Sequence, residues 1–327
     1  MARLQRFLVL GWLAGVLVSA TAIMSLGAPA WAWAVLAILL VGQALFLAVG
    51  FLILAVVQEK APTPPPSVAQ LVRAWWGEVL RAPRVFALQQ PFRSNAQPDS
   101  VTLPPTRPRG VVFVHGFFCN RGIWNPWMSR LRTAGAPFIA VNLEPVFGSI
   151  DEYLPVIEAA VSRMEAATGR APVLVAHSMG GLAVRAWLDQ FDATARVHRI
   201  ITIGTPHHGT WLGRFARTTN TREMGLKSAW LTQLQMREAT RVSHPYANFT
   251  CFYGHCDHIV FPASSGMLVG AENRHLGATA HVQMAFRDEV FDEVWRWLEI
   301  PDDAPAPALA GRVAMAPRRA SEDRIGR

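Results

Sequence analysis

Charged residues are scarce in this chain of 327 residues. They make up 17% of the sequence, whereas about 25% is usual in soluble proteins, and Lys60 and Lys227 are its only lysines. Hydrophobic residues make up 51%, which excludes a mainly disordered chain and indicates contact with a membrane. Three cysteines are too few for the disulfide framework of small secreted domains and permit a reducing compartment. They are Cys119, Cys251 and Cys256.

Nucleotide-binding motifs are also missing from the chain. The sequence contains neither a P-loop nor the glycine pattern of dinucleotide-binding proteins. Its net charge of +8 is compatible with nucleic acid or an anionic membrane surface as a partner. Nearly all of the positive charge is arginine, however, which also fits a bias in codon composition. We therefore predict that the protein has no nucleic-acid partner.

An uncharged stretch runs from Phe7 to Gln58. It is far longer than the roughly 20 residues that one membrane span requires. Residues 27–30 (Gly-Ala-Pro-Ala) interrupt it near the middle. The pattern predicts two helices, at about 7–26 and 31–57.

Residues 1–60 are therefore predicted to form a transmembrane hairpin. The alternative for the first helix is a signal peptide, because residues 20–22 (Ala-Thr-Ala) resemble a cleavage site, but a second apolar segment directly afterwards favours the hairpin. Basic residues flank both outer sides and the turn is uncharged, so both ends are expected in the cytoplasm. The flanking residues are Arg3 and Arg6 before the hairpin and Lys60, Arg73, Arg81 and Arg84 after it.

Residues 61–83 are predicted to be a linker followed by an amphipathic helix. The linker, 61–66, is proline-rich and therefore stiff. From Ser67 to Arg81, apolar residues recur every three or four positions, and Ser67 can cap the helix. This helix either lies on the bilayer surface or packs on the domain that follows. The apolar positions are Val68, Leu71, Val72, Trp75 and Val79.

Strand and helix patterns alternate over residues 84–300. This alternation predicts a parallel α/β sheet with helices on both faces, and the composition of residues 301–327 predicts a disordered tail. The predicted strands are Val111 to His115, Pro137 to Asn142, Pro172 to His177, Arg199 to Gly204 and Asn248 to Tyr253, and the predicted helices are Asp151 to Thr168, Met179 to Gln190 and Arg287 to Leu298.

The segment from Val173 to Gly181 contains the strongest catalytic motif. An apolar strand leads through a tight turn at Ser178 into a helix, which is the pattern of a nucleophile elbow. The flanking residues, Ala176 and Gly180, are small, as such a turn requires. The positive end of the helix points at the place where negative charge develops on the substrate. Ser178 is therefore predicted to be a nucleophile.

A second motif is the apolar strand that ends in His115 and Gly116. In the elbow architecture, one oxyanion-binding N–H follows the nucleophile and another comes from the loop after such a strand. These positions are Met179 and Phe117. Gly116 allows the backbone to approach the substrate closely. His115 is predicted to be a structural hydrogen-bonding residue.

The acid and the base are expected to follow the serine in chain order. Asp257 lies in a loop just past a predicted strand, where a carboxylate can orient an imidazole. Two histidines follow it, His275 and His281. His281 directly precedes the final amphipathic helix and is the favoured base, with His275 as the alternative.

Several metal-binding residue types surround this loop. They contain no Cys-x-x-Cys pair, and their spacing fits no ordinary zinc site. We therefore predict no metal and no other cofactor. The residues are His207, His208, Cys251, His255, Cys256 and His258.

Together, these motifs resemble the α/β-hydrolase superfamily, and more closely its bacterial lipase and esterase branch. The resemblance covers residues 84–300 and includes segment 201–210 and a helical cap at about 211–240. It implies an α/β-hydrolase fold, a mostly parallel sheet with flanking helices and a small cap, preceded here by the transmembrane hairpin. It also implies acyl-ester chemistry with a triad of Ser178, Asp257 and His281.

The resulting functional prediction is a membrane-anchored serine esterase or lipase that acts on lipid or acyl esters. An acyltransferase with the same triad and a non-catalytic membrane scaffold are the alternatives. The bilayer is a predicted partner, and the resemblance to bacterial lipases implies that it is a bacterial inner membrane; no protein partner is inferred. The residues predicted to contact the substrate, besides the oxyanion-hole residue Phe117, are Phe118, Trp124, His177 and Trp211.

Overall fold

Six parallel strands form the central sheet, in the order β2-β1-β3-β4-β5-β6. The structure, a computed structural model, describes residues 1–25, 27, 29–57, 63–101, 109–240 and 246–299. The predicted tail and part of the predicted linker lie outside these residues. The strands are β1 (Val111–Val114), β2 (Phe138–Ala140), β3 (Val173–His177), β4 (Arg199–Ile203), β5 (Phe249–Tyr253) and β6 (Glu272–His275).

The first five strands are buried along their whole length. Strands that are covered on both faces require apolar side chains throughout, which is why the sequence shows each of them as a short apolar run. In the register, Ala176 lies opposite Val114 on one side and Thr202 on the other. The carboxyl ends of the three central strands therefore meet at one edge, where Ser178 follows β3. The predicted fold class is confirmed.

The sixth strand was absent from the sequence prediction. Strand β6 is polar, with the sequence Glu-Asn-Arg-His, and its side chains are only partly buried or exposed. As an edge strand it pairs on one side only, with β5, so it needs no apolar run. The Nη2 atom of Arg199 lies 2.6 Å from the Oε2 atom of Glu272 and ties this edge to β4.

Helices cover both faces of the sheet. Helices α6 and α7 pack on one face, around Val112, Leu174 and Ile200, and α5 and α11 pack on the other, around Phe113 and Val175. Helices α6, α7 and α11 agree with the predicted helices to within three residues. The helices after the amino-terminal segment are α4 (Gln90–Arg93), α5 (Asn125–Thr133), α6 (Leu154–Thr168), α7 (Met179–Phe191), α8 (Thr219–Glu223), α9 (Ala229–Ala239), α10 (His281–Met284) and α11 (Asp288–Glu299).

Two amino-terminal helices, α1 (Ala2–Ser25) and α2 (Ala30–Val56), are each long and apolar enough to cross a membrane. They pack against each other, and most of their large apolar side chains are exposed. Helix α1 begins several residues earlier than the sequence predicted. Arginine and glutamine favour helices, so the helix extends back through Arg6 and Gln5 beyond the apolar run.

The predicted amphipathic helix is α3 (Val68–Pro83). Ser67 and Gln70 form a capping box, in which the N–H of Gln70 donates to Oγ of Ser67 and the N–H of Ser67 donates to Oε1 of Gln70. The Nε1–H of Trp75 donates to a backbone carbonyl of α2 at 3.0 Å. One face of α3 therefore packs on α2, while Val72 on the opposite face is exposed.

The predicted cap region contains α8 and α9, and a buried ion pair attaches α9 to α7. Arg185 of α7 donates to Glu238 of α9 through Nε at 3.0 Å and Nη2 at 2.6 Å. Its Nη1–H donates to the carbonyl of His207 at 2.7 Å. Tyr246 also donates to Glu238, at 2.7 Å. Both charges are buried.

We expect Glu238→Gln to lower the free energy of unfolding by about 3 kcal/mol, because it leaves the buried charge of Arg185 without its counterion. The measurement is urea denaturation of the protein in detergent micelles. The matched control is Glu165→Gln, which removes one partner of the partly exposed Arg196–Glu165 pair and should cost less than about 1 kcal/mol. An equal loss of unfolding free energy in the two variants would contradict a special contribution of the buried Arg185–Glu238 pair.

Candidate active site

Ser178 occupies a strained turn between β3 and α7. Its backbone has φ 55° and ψ −128°, a conformation that residues other than glycine rarely adopt. The N–H of Ser178 donates to the carbonyl of Ile203 at 2.9 Å and fixes the turn on β4. A Cβ atom at Gly180 would lie 2.6 Å from the carbonyl oxygen of His115. The small residue two positions after the serine is therefore a packing requirement.

The loop after β1 lies directly against the serine. A Cβ atom at Gly116 would approach the Cβ atom of Ser178 to 2.7 Å. The predicted oxyanion-hole residues flank this contact: Phe117 is the next residue in the loop, and Met179 is the first residue of α7. Backbone N–H groups at the start of a helix have no acceptor within it, so that of Met179 suits an oxyanion.

His115 supports this loop through both ring nitrogens. The N–H of Leu143 donates to Nε2 at 3.0 Å, and Nδ1–H donates to the carbonyl of Gly116 at 2.9 Å. Burial lowers the pKa of His115 to about 4, so the ring is neutral at physiological pH. These contacts agree with the structural role expected for His115.

Asp257 and His281 form a buried hydrogen-bonded pair, with 2.8 Å between Oδ2 and Nδ1. The other carboxylate oxygen of Asp257 accepts the N–H groups of Ile259 and Val260, both at 2.9 Å. Burial opposes ionisation of Asp257, but the charge and hydrogen bond of His281 and the backbone bond from Val260 lower its pKa. Burial also opposes the imidazolium of His281, but Asp257, with a contribution from Glu78, raises the pKa of that ring.

His177 connects this pair to the turn that contains Ser178. Its Nε2–H donates to the carbonyl of His281 at 3.2 Å, and the two rings lie 4.7 Å apart. Because His177 directly precedes Ser178, this contact holds the His281 turn beside the serine. Burial lowers the pKa of His177 to about 3. The residue that was expected to contact substrate instead contacts the backbone of His281.

The alternative base, His275, lies at the end of β6. Its ring contacts those of Tyr253, at 5.4 Å, and His255, at 4.6 Å. Asp257 instead accepts the Nδ1–H of His281. Within the described residues, no cluster of three or more metal-binding side chains is suited to an ion.

The aromatic residues that were expected to bind substrate divide into two groups. The Phe117 ring packs against those of Phe118 and Phe147, each at 6.1 Å, and all three are partly or well exposed. Trp211 is partly exposed and stacks on Phe261 at 5.7 Å. Trp124 is fully buried.

The position of Trp124 is a correction to the sequence prediction. Its ring packs between Phe113, at 4.9 Å, and Trp127, at 5.7 Å, within the core beneath the sheet. An aromatic residue near the loop after β1 can pack in the core or line a pocket, and the sequence does not distinguish these two positions.

Two contacts from the amino-terminal helices reach this site and were not predicted. The Nε2–H group of Gln5 on α1 donates to the carbonyl of Phe118 in the loop after β1, at 3.0 Å. The ring of Phe51 on α2 stacks on that of His258, the residue after Asp257, at 4.6 Å. The only sequence signal for the contact of Gln5 with the loop after β1 is its position, as a polar residue at the edge of an apolar run.

Gly204, which follows β4, lies directly under the Asp257–His281 pair. Its φ is +56°, and an added Cβ atom would lie 3.1 Å from Nδ1 of His281 and 3.2 Å from Oδ2 of Asp257. We expect Gly204→Ala to lower kcat for a soluble ester roughly tenfold to a hundredfold, since it displaces the hydrogen-bonded pair. The control is Gly169→Ala, which has a similar φ of +66° but open space around it. A similar loss in kcat for both variants would contradict the crowding argument.

Comparison with known proteins assigns the fold. The alpha/beta hydrolase family model matches residues 111–323, so the chain belongs to the α/β-hydrolase family. A search of curated protein sequences finds no match for this chain.

Two lipases are among the similar solved structures. Mature Bacillus licheniformis lipase BlEst2 has 18% identity and a TM-score of 0.54, and the alignment covers 62% of this chain and 96% of the lipase. Aspergillus fumigatus lipase B has 20% identity and a TM-score of 0.50, with 56% of this chain and 50% of that chain covered. At these identities the likeness shows a shared fold.

Proposed function

We propose that the protein is a membrane-anchored serine esterase or lipase whose triad is Ser178, His281 and Asp257. The observation that carries the proposal is the buried Asp257–His281 hydrogen bond, next to a serine with strained backbone at the start of a helix. Membership of the α/β-hydrolase family and the likeness to lipases support a hydrolase.

The proposed chemistry is acyl transfer to Ser178. His281 accepts the proton of the serine hydroxyl as its oxygen attacks the ester carbonyl, while Asp257 holds the imidazole in the required tautomer and stabilises its cation. The backbone N–H groups of Phe117 and Met179 stabilise the oxyanion, where one donor typically contributes about 3 kcal/mol. Water then releases the acid.

A lipid or other apolar ester is the proposed substrate class. A cluster of partly exposed aromatic rings, those of Phe117, Phe118 and Phe147, lies at the loop after β1, whose Gly116 packs against Ser178. Two apolar helices contact loops on both sides of the proposed triad, through Gln5 and Phe51. An ester that partitions into a bilayer suits these surroundings better than a polar one.

The test is labelling of the full chain with a fluorophosphonate probe, which reacts with activated serines. We expect wild-type protein to be labelled, and mass spectrometry of its peptides should find the label on Ser178. Product analysis with an added alcohol then distinguishes hydrolysis from acyl transfer. A chain that is not labelled would instead favour the non-catalytic scaffold.

We also propose that residues 61–327 lie in the cytoplasm, from the basic residues that flank the two helices. In bacterial expression, a carboxyl-terminal green fluorescent protein fusion should fluoresce, and an alkaline phosphatase fusion should be inactive. An active phosphatase with a dark fluorescent fusion would place the hydrolase domain on the opposite side of the membrane.

A further inference from the structure

Helix α3 carries a carboxylate on its inner face that reaches the turn of the proposed catalytic base. Glu78 is 1% exposed. Its Oε1 accepts the N–H of Val282, and its Oε2 accepts the N–H of Gln283, both at 3.0 Å. These two residues directly follow His281 at the start of α10. One carboxylate therefore satisfies two backbone groups that α10 itself leaves without acceptors.

Close packing fixes α3 against the same turn. A Cβ atom at Gly77 would lie 2.6 Å from the side-chain amide of Gln283. Ala74 of α3 and Ala280, the residue before His281, are both fully buried in one apolar cluster. Small residues on both sides bring the two backbones together, so movement of α3 is transmitted to the His281 turn.

The outer face of α3 is apolar and exposed. Its large side chains recur every four residues, which places them on one stripe of the helix. Their exposed fractions range from 55% to 77%, and the arginines Arg73 and Arg84 beside them are exposed. The stripe consists of Val68, Val72, Trp76 and Leu80.

The bilayer is the occupant that this stripe fits. Helix α3 packs against α2, one of the two helices long and apolar enough to cross a membrane, and the two neighbouring helices both expose large apolar side chains. An amphipathic helix with aromatic and aliphatic residues on one face and arginines at its edge is typical of the lipid interface. Those arginines complement anionic headgroups.

We propose that α3 lies in the bilayer interface and that Glu78, on its inner face, is a positioning residue for His281. The proposal rests on the proposed function. Lipid contact on the stripe holds α3 in place, and the Glu78 carboxylate holds the first turn of α10, so that the imidazole stays aligned between Asp257 and Ser178.

The charge of Glu78 also acts on the base. Burial raises the pKa of Glu78 to about 7. The backbone hydrogen bonds from Val282 and Gln283 and the charge of His281 oppose this rise, whereas the charge of Asp257 adds to it. Where Glu78 is ionised, its charge in turn raises the pKa of His281. Removing this charge should therefore lower the pKa of the imidazole and extend activity to lower pH.

The first experiment compares Glu78→Gln and Glu78→Asp with the wild-type full chain in vesicles of phosphatidylcholine and phosphatidylglycerol, with p-nitrophenyl butyrate as substrate. We expect Glu78→Gln to lower kcat roughly tenfold or more with KM unchanged, and to shift the acidic limb of kcat/KM to lower pH. Glu78→Asp keeps the charge on a shorter side chain, so it should lose rate but retain the wild-type limb.

The matched control is Glu289→Gln, which removes an exposed carboxylate on α11 and should leave both kcat and the pH profile unchanged. Wild-type kcat and an unshifted limb in Glu78→Gln would overturn the role of Glu78. Circular dichroism shows whether Glu78→Gln folds. If it does not fold, Glu78→Asp provides the test, and a shift of its acidic limb of kcat/KM to lower pH would overturn the role of Glu78.

The second experiment tests the lipid contact. The native cysteines are buried, so a thiol-reactive fluorophore can be placed on Val72→Cys in the outer stripe or on Met236→Cys, an exposed position of α9. Spin-labelled lipid in the same vesicles should quench the label at position 72 and not that at 236. Equal quenching at the two positions would overturn the interfacial location of α3.

These experiments distinguish the proposed hydrolase function from the positioning role of Glu78. Absence of fluorophosphonate labelling and of hydrolysis in the wild-type chain would contradict the proposed function. An active wild-type chain with Glu78→Gln indistinguishable from it would contradict the positioning role alone.

Discussion

Alanine in place of Ser178 should reduce kcat for p-nitrophenyl butyrate by about 10⁴-fold or more, because no other group can then form the acyl-enzyme. The side chain is nearly buried and stands at a backbone φ of 55°, so its removal deletes the reactive oxygen without opening a large cavity. The free energy of unfolding should therefore change little or increase. Initial-rate kinetics and thermal unfolding by circular dichroism measure the two quantities.

The matched control is Ser265→Ala, which removes another buried serine hydroxyl outside the proposed triad. It should retain near wild-type kcat. If Ser178→Ala also kept wild-type activity in a preparation free of host esterases, the nucleophile would have to be assigned elsewhere.

His281→Ala should lower kcat by about 10⁴-fold, whereas His275→Ala should change it by no more than about twofold. The reason is that His281 donates its Nδ1–H to Asp257, while His275 contacts Tyr253 and His255 at the sheet edge. Kinetics of the two alanine variants make the comparison. The reverse ranking would move the general base to His275.

The pH dependence supplies an independent check on the same residue. A general base must be neutral to accept a proton, and Asp257 raises the pKa of His281 above its ordinary 6.5. The kcat/KM of the wild-type chain should therefore fall as the pH falls through a value above 6.5. An acidic limb well below that value would contradict His281 as the group that titrates.

The sequence predicted the sheet and the turn at Ser178 between β3 and α7 because burial and close packing restrict the residue types of a segment. Strands covered on both faces must be apolar throughout, and the turn at Ser178 admits only small neighbours, since a Cβ at position 180 would clash with the strand beside it. Both constraints restrict the residue types within one short segment, so the sequence shows them even though the contacting atoms belong to other segments. Strand β6 was not predicted because it is an edge strand that is not fully buried, so its residues need not be apolar.

Other features could not be predicted because they depend on contacts between distant segments. Trp124 was expected near the substrate, but which side of a loop becomes buried is decided by packing of helix against sheet, and it lies in the core. The contacts of Gln5 and Phe51 with loops of the site require the arrangement of α1 and α2 on the domain. No periodicity within either segment contains that information.

The bond between Glu78 and Val282 joins residues 204 positions apart, which has a consequence for biosynthesis. Domains are generally completed from the amino terminus onward as the ribosome adds about 5–20 residues per second. Residues 1–83 and the serine turn are therefore made well before the segment that contains His281. Under the proposed mechanism, Ser178 has no base until α10 docks on α3, so we expect a partly synthesised chain to be catalytically silent.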